Sequence, residues 1–317
     1  MRVNRTLLYS GIFLVSIGVV VVAADLGDVD AAILLDALRL WPIAVIAIGL
    51  GLVLRRTRMS LAAGLLAAAA PGLLLGSAFA VVPRFGDFCG AGDVAAGAVT
   101  REGAFDGAAR VSVTTGCGTL DVQAAPGAEW RLEALDTGGR VPVVVGSARS
   151  LSIDAVDSDG WLGAGSDEWD LTLPASDLEG LTVVVNAGRG DIDLGEAQVD
   201  GLSVTANAAD VTVDASAGSI GRLTGTVNFG RLSIQLPAAD LEGSLAASAG
   251  TIQVCAPPGL GLRVTTNESM GQVSVDGRHL GRADYQSPDY ASADHRADLI
   301  VDVSFGTIEI DPIGGCR

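Results

Sequence analysis

The feature that most limits the fold of this chain is a repeat of about 20 residues along its C-terminal two-thirds. Each copy opens on Gly or Ala and continues with a short run in which polar and apolar residues alternate. The copies are Gly190–Leu194, Ala209–Val213, Gly230–Ile234, Gly250–Val254, Gly271–Val275 and Gly306–Ile310, with an earlier relative at Gly118–Val122. Partner runs precede the late copies at Leu181–Val185, Leu202–Thr205, Leu223–Val227, Ser244–Ala247, Leu262–Thr265 and Leu299–Val303. Alternation with period two gives a strand one buried face and one wet face. The opening Gly supplies the positive φ or the close backbone approach that a tight corner needs. A single copy cannot bury its own apolar face, so the copies must stack and fold as a unit. The pattern predicts short strands stacked into a β-solenoid-like coil or a flattened two-sheet sandwich. The spacing holds through Asp191, Asp210, Arg231, Thr251 and Gln272. It then lengthens to 35 residues at Thr307, which marks an insertion over 276–298.

Upstream, three uncharged apolar segments fill residues 1–83: Leu7–Ala24, Leu40–Leu54 and Met59–Pro83. The first and third are long enough to cross about 30 Å of hydrocarbon as helices. The second reaches that length if part of 33–39 continues it, with Pro42 near a helix start. Arg2, Arg5 and Arg55, Arg56 and Arg58 flank these segments, and the loop 25–36 is acidic. The positive-inside rule then places the N-terminus in the cytoplasm and, after three crossings, residues 84–317 outside it. A signal peptide is the competing reading of the first segment, since Val22-Ala23-Ala24 resembles a cleavage site. Gly72 and Gly76 form a G-x-x-x-G of the kind that lets helices approach closely, a spacing that also arises by chance in an Ala/Gly-rich segment.

The expected architecture is a membrane-anchored all-β protein with three parts. A region of three transmembrane helices spans 1–83, a Gly/Ala-rich linker spans 84–108, and an extracytoplasmic β-repeat domain spans 109–317. The expected location is multi-pass in the cell membrane, with membrane lipids as partners.

Charge narrows the partners further. The chain carries 37 acids against 20 basic residues, all of them Arg, for a net charge of −17. The charge is uneven, about +2 over 1–83 and −19 over the remainder. Such a domain repels nucleic acid.

Four cysteines, Cys89, Cys117, Cys255 and Cys316, all fall in the C-terminal part. An even count without C-x-x-C fits disulfides in an oxidising compartment. Of the three connectivities, Cys89–Cys117 with Cys255–Cys316 joins cysteines near in the chain. Free buried thiols are the alternative.

Leu40-Trp41-Pro42 followed by Ile43, Ile46, Gly49 and Leu50 resembles the transmembrane region of LiaI/LiaF-like proteins. The Gly-Asp-Ile-Asp-Leu-type copies resemble the adhesin-like, or toastrack-type, β-domain that often follows such helices. The resemblance implies a bacterial cell-envelope stress protein, in some members one that restrains a sensor histidine kinase. This chain has three apolar segments where four are often seen.

Candidate sites are few. Asp154, Asp157, Asp159, Asp167, Glu168 and Asp170, among Gly160, Gly163 and Gly165, read as a long acidic loop. Carboxylates on such a loop suit Ca²⁺, although the EF-hand spacing is not met, and a solvated acidic loop is the simpler reading. Trp161 and Trp169 in it are candidate partner or glycan contacts, or caps on the core. The insertion 278–296 holds His279, His295, Tyr285 and Tyr290, and long loops in repeat folds often bind partners. Asp191 and Asp193 share one strand face, a pairing a glycosidase would use, but acids recur on many such faces. No nucleophile, zinc or phosphate-loop motif is present. The expectation is a non-enzymatic protein without cofactor, sensing or modulating envelope stress. The alternative is a surface adhesion or glycan/protein-binding module. A kinase, envelope polymers or a second copy of the chain are the candidate partners.

Overall fold

In the computed structural model of the chain, the residues described are 98–135, 141–156, 167–176 and 178–311, with helical residues at 11–16, 18–20, 69 and 72–73. The chain divides into two compact units, Met1–Arg84 and Phe85–Arg317.

In the first unit, Gly72 lies against the helical residues near 13–16. A Cβ at Gly72 would fall 2.7 Å from the Phe13 carbonyl oxygen and 2.8 Å from Ser16 Cβ. Only glycine permits that approach. The expected three transmembrane helices are corrected here. Among the described residues no helix is long and apolar enough to cross a membrane. The longest described helical run is 11–16, which rises about 9 Å against the roughly 30 Å a bilayer requires. Neither the three-helix transmembrane region nor a multi-pass membrane location is what the structure supports. Most of 7–24, 40–54 and 59–83 lies outside the described residues, as do the Trp41-Pro42 motif and Gly76.

The second unit is built from strand. The repeat is carried by β2 (Ala109–Ala125), β7 (Leu178–Asp193), β8 (Gln198–Asp214) and β9 (Ser219–Gln235). Where the sequence pattern divides each repeat into two short strands, the structure runs both halves through a corner as one bent strand. Neighbouring rungs pair in parallel and in step: Val111 faces Leu181, Leu181 faces Leu202, and Leu202 faces Leu223. The first halves form one sheet and the second halves another. Val113, Val183 and Val204 from the first and Val122, Ile192 and Val213 from the second are buried in one core. Gly225 shows how closely the two sheets meet. A Cβ there would lie 2.8 Å from Leu245 Cδ2 and 3.1 Å from Leu232 Cδ2, which comes from the opposite sheet.

The corner between the halves depends on glycine at three of these four rungs, Gly118, Gly188 and Gly230, with Ala209 at the fourth. Gly188 and Gly230 have φ of 113° and 101°. A Cβ at these positions would fall 1.9 Å from the Gly118 carbonyl oxygen and 2.1 Å from that of Ala209. Beside the corner runs an amide ladder. Asn186 Nδ2 donates to the Thr115 carbonyl, Asn207 Nδ2 to Asn186 Oδ1, and Asn228 Nδ2 to Asn207 Oδ1; Ser248 Oγ donates to Asn228 Oδ1. Such ladders are stable because identical side chains stack at the strand spacing.

Stack order departs from chain order at both ends. The rung of β10 (Leu241–Ala247) and β11 (Thr251–Cys255) follows β9 directly. The next rung in the chain, β12 (Leu260–Glu268) and β13 (Gln272–Val275), stands one place further out. The last, β16 (His295–Val303) and β17 (Thr307–Ile310), returns to fill the gap, pairing in parallel on both sides. At the other end β2 lies between β7 and the rung formed by β5 (Ser150–Asp154) and β6 (Asp167–Pro174). Antiparallel strands finish the stack: β3 (Glu129–Leu135) on β6, β1 (Ala98–Ala104) on β3, and β4 (Val143–Ser147) on β5. At the far end β14 (Arg278–His279) lies on β13 and β15 (Tyr285–Gln286) on β12. Strand β1 thus falls within the stretch that reads in sequence as a linker. Covering terminal rungs in this way limits open strand edges.

Candidate binding surfaces

Parallel in-step pairing turns every outward position into a column running along the stack. On the first-half sheet two adjacent columns are Ser112–Thr182–Ser203–Thr224–Ser244 and Thr114–Val184–Thr205–Thr226–Ala246. Rungs are spaced by about 4.8 Å and columns, two residues apart, by about 6.6 Å. None of these ten side chains is charged. None of their hydroxyls makes a side-chain hydrogen bond among the described residues, in contrast to the amide ladder one column away. Short, rigid, unspent hydroxyls on a regular grid are pre-organised donors and acceptors, since Thr is stiff at χ1. The next column outward is charged, and there Arg110 pairs with Glu179 and Arg263 with Asp298 at 3.5 Å.

On the second-half sheet one column runs Glu133–Asp170–Asp121–Asp191 across four neighbouring strands. Like charges directly opposed repel. Asp170 is accordingly held above the usual carboxylate range, by desolvation first and then by Asp121 and Glu133. Arg131 offsets part of this, pairing with Glu133 at 2.5 Å, and both line an open groove with Asp121 and Asp170. Among the described residues no three His, Cys, Asp or Glu side chains are grouped to hold a metal ion. Asp193, the second acid of the glycosidase-like pair, is engaged in a turn: its Oδ1 accepts from the Gly195 N–H at 2.9 Å. Asp214 does the same one rung on, accepting from the Ser216 N–H and hydroxyl. This is the local bonding by which Asp forms turns.

The structure separates the aromatic candidates. Trp169 is 2% exposed and packs in the core, on a strand where a loop was expected. An indole so placed offers no face to a partner. Trp161 lies outside the described residues, with Asp157, Asp159 and the glycines of that run. Tyr285 is half-buried against the core, and its phenol is raised by desolvation and then by Asp276, Asp289 and Asp311. Tyr290 is 7% exposed. Its hydroxyl donates to Asp298 Oδ1 at 2.8 Å, the guanidinium of Arg263 stacks 4.3 Å from its ring centroid, and its carbonyl accepts from Arg296 Nε. The bond to Asp298 is the main cause of its raised phenol. Tyr290 is therefore a clip that fastens the insertion to the interposed strand β16. His279 Nδ1 lies 3.1 Å from the Val273 carbonyl, and His279 and His295 each stand near one carboxylate, Glu268 and Asp240. The two imidazoles sit on different strands and share no site.

Cys117, at the corner of β2, and Cys255, at the end of β11, are both disulfide-bonded. Cys89 and Cys316 lie outside the described residues.

Sequence reading missed the hydroxyl grid. The signal was present as S-x-T, T-x-V, S-x-T, T-x-T and S-x-A at the wet positions of successive partner runs. It also missed an apolar ridge at the corner, where Phe229, Phe305 and Met270 are exposed.

No family model and no curated protein matches the chain, and the LiaI/LiaF resemblance finds no support in these comparisons. Solved structures with a similar fold include a Clostridium sporogenes protein provisionally described as a cell adhesion protein, at 12% identity and a TM-score of 0.46. It covers 68% of this chain and 99% of its own. A Bacteroides fragilis protein provisionally described as an adhesin has 11% identity, a TM-score of 0.32 and coverage of 68% and 97%. A Parabacteroides distasonis protein provisionally described as lipid-binding has 12% identity, a TM-score of 0.25 and coverage of 68% and 96%. The chain is thus similar to these adhesin-like β-rich proteins in strand architecture alone, and at such scores the likeness carries no argument about what it binds.

Proposed function

We propose that the β-repeat unit is a non-catalytic binding module whose first-half sheet engages an extended, neutral, hydroxyl-rich polymer of the glycan class. The observation that supports this is the grid of unpartnered Ser and Thr hydroxyls over five rungs in strict step. Each contact to such a grid is weak, but a polymer repeats its own groups and engages many at once. Rigid placement lowers the ordering cost of each contact. The grid lacks charge, on a chain of net −17, which favours a neutral ligand over an anionic one. An enzymatic reading is weakened by Asp193, whose carboxylate is engaged in its turn. The stress-sensing reading and its kinase partner draw no comparable support from any surface formed by the described residues.

Affinity electrophoresis of the full chain through gels carrying neutral or anionic polysaccharides tests the reading. Retardation by a neutral polymer that persists at high salt is the expected result. Retardation by anionic polymers alone, lost in salt, would refute it.

A further inference from the structure

Of the terminal strands described, only β4 and the two-residue β15 carry no charged residue, and β4 is the longer: Val143, Val144, Val145, Gly146 and Ser147. By contrast β1 carries Arg101 and Glu102, and β14 carries Arg278 and His279. Among the described residues β4 pairs along one edge only, antiparallel to β5. Its other edge presents alternating N–H and C=O groups, the groups a further strand would satisfy. Val143 and Val145 project from its outer face, Val145 at 63% exposure.

We infer that this edge is a self-association site, occupied by β4 of a second copy of the chain in antiparallel register. Two arguments select a second copy. First, the edge is self-complementary. A two-fold axis normal to the sheet keeps both outer faces on the same side, and full overlap of the two strands sets Val145 opposite Val145 of the partner. Val143 then faces Ser147 of the partner, and the apolar side chains meet at the centre. Second, each chain carries 37 acids against 20 basic residues, so two copies repel over most of their surfaces, whereas β4 itself adds no charge to the contact and Asp154 stands one strand back, opposite Val143. Because the contact is isologous it closes at a dimer and does not propagate. Five paired residues make a small interface, so the association is weak and concentration-dependent.

The test uses the full chain. Sedimentation velocity over a concentration series is expected to show a reversible monomer–dimer equilibrium. V145K, which brings two ammonium groups face to face at an exposed position, is expected to weaken it at least about tenfold, roughly 1.4 kcal/mol. Opposed residues in such a pair stand within disulfide reach, and none of the described cysteines is free. Mild oxidation of V145C is therefore expected to give a covalent dimer, and V143C none. A chain that stays monomeric, or a dimer unchanged in V145K with no cross-link in V145C, would overturn the inference.

Discussion

Asn207 donates a 2.7 Å hydrogen bond to Asn186 Oδ1, and the two residues stand 21 positions apart in the chain. Asn228 repeats the relationship onto Asn207 at the same length and separation. The rung period is thus written twice, in the backbone register and in a side-chain ladder. Replacing Asn207 with Ala removes both bonds and strands an amide on each side. The expected cost is about 1–2 kcal/mol, a fall in Tm of about 3–6 °C for a unit of this size. Calorimetry on the full chain measures it.

Two glycines with positive φ should respond very differently to alanine. At Gly230 the new Cβ would meet the Ala209 carbonyl at 2.1 Å, whereas at Gly107, with φ of 126°, nothing lies within 4 Å. Gly107→Ala should cost about 1 kcal/mol of backbone strain. Gly230→Ala adds a clash with backbone and should cost about 3 kcal/mol or more. Urea denaturation of the two variants side by side gives the contrast.

The raised carboxyl of Asp170 makes a pH prediction with a definite sign. A carboxyl held above its ordinary value binds its proton more tightly folded than unfolded. Stability is therefore lost as pH rises from the ordinary Asp value of about 3.9 through the raised one. Asp170→Asn removes that loss, along with repulsion from Asp121 and Glu133. The variant should be more stable than the parent by about 0.5 kcal/mol at neutral pH. The advantage should vanish below the ordinary Asp range, as thermal melts across pH would show.

Tyr290 should govern the insertion without governing the stack. Tyr290→Phe keeps the ring under Arg263 but loses the bond to Asp298, and Tyr290→Ala loses both. Hydrogen exchange is expected to accelerate in 276–294 for both variants, more for Ala, while β7 to β9 remain protected. Uniform acceleration would mean the clip is part of the global fold.

The repeat itself was legible because period-two alternation and a corner glycine are local signals. The stacking order was not. Every rung presents the same apolar columns, so on pattern alone Gly243 could be followed by Val264 as readily as by Leu299, which takes the place between them. The interposition of β16 becomes visible only through the long return over 276–294. Trp169 was misread for another reason. The acids around it suggested a loop, although Trp169, Leu171 and Leu173 alternate with Glu168, Asp170 and Thr172 as a strand requires. The apolar N-terminal segments suggested membrane helices on composition, and length in the described helical residues overturned that. The hydroxyl grid escaped notice because one S-x-T is unremarkable; the parallel register makes it a surface.

The grid is where the account is most exposed. Thr205→Lys/Thr226→Lys places two charges at its centre, at half-buried outward positions; Thr212→Lys places one charge at a half-buried outward position on the opposite sheet. Co-sedimentation of each with insoluble neutral polysaccharide, using chitin, cellulose and β-1,3-glucan as probes, compares the two faces. The account predicts binding to at least one of these polymers by the parent and by Thr212→Lys, and loss of at least about tenfold, or 1.4 kcal/mol, in the double variant. Binding unchanged in the folded double variant, or no binding by the parent to any of the three, would contradict it.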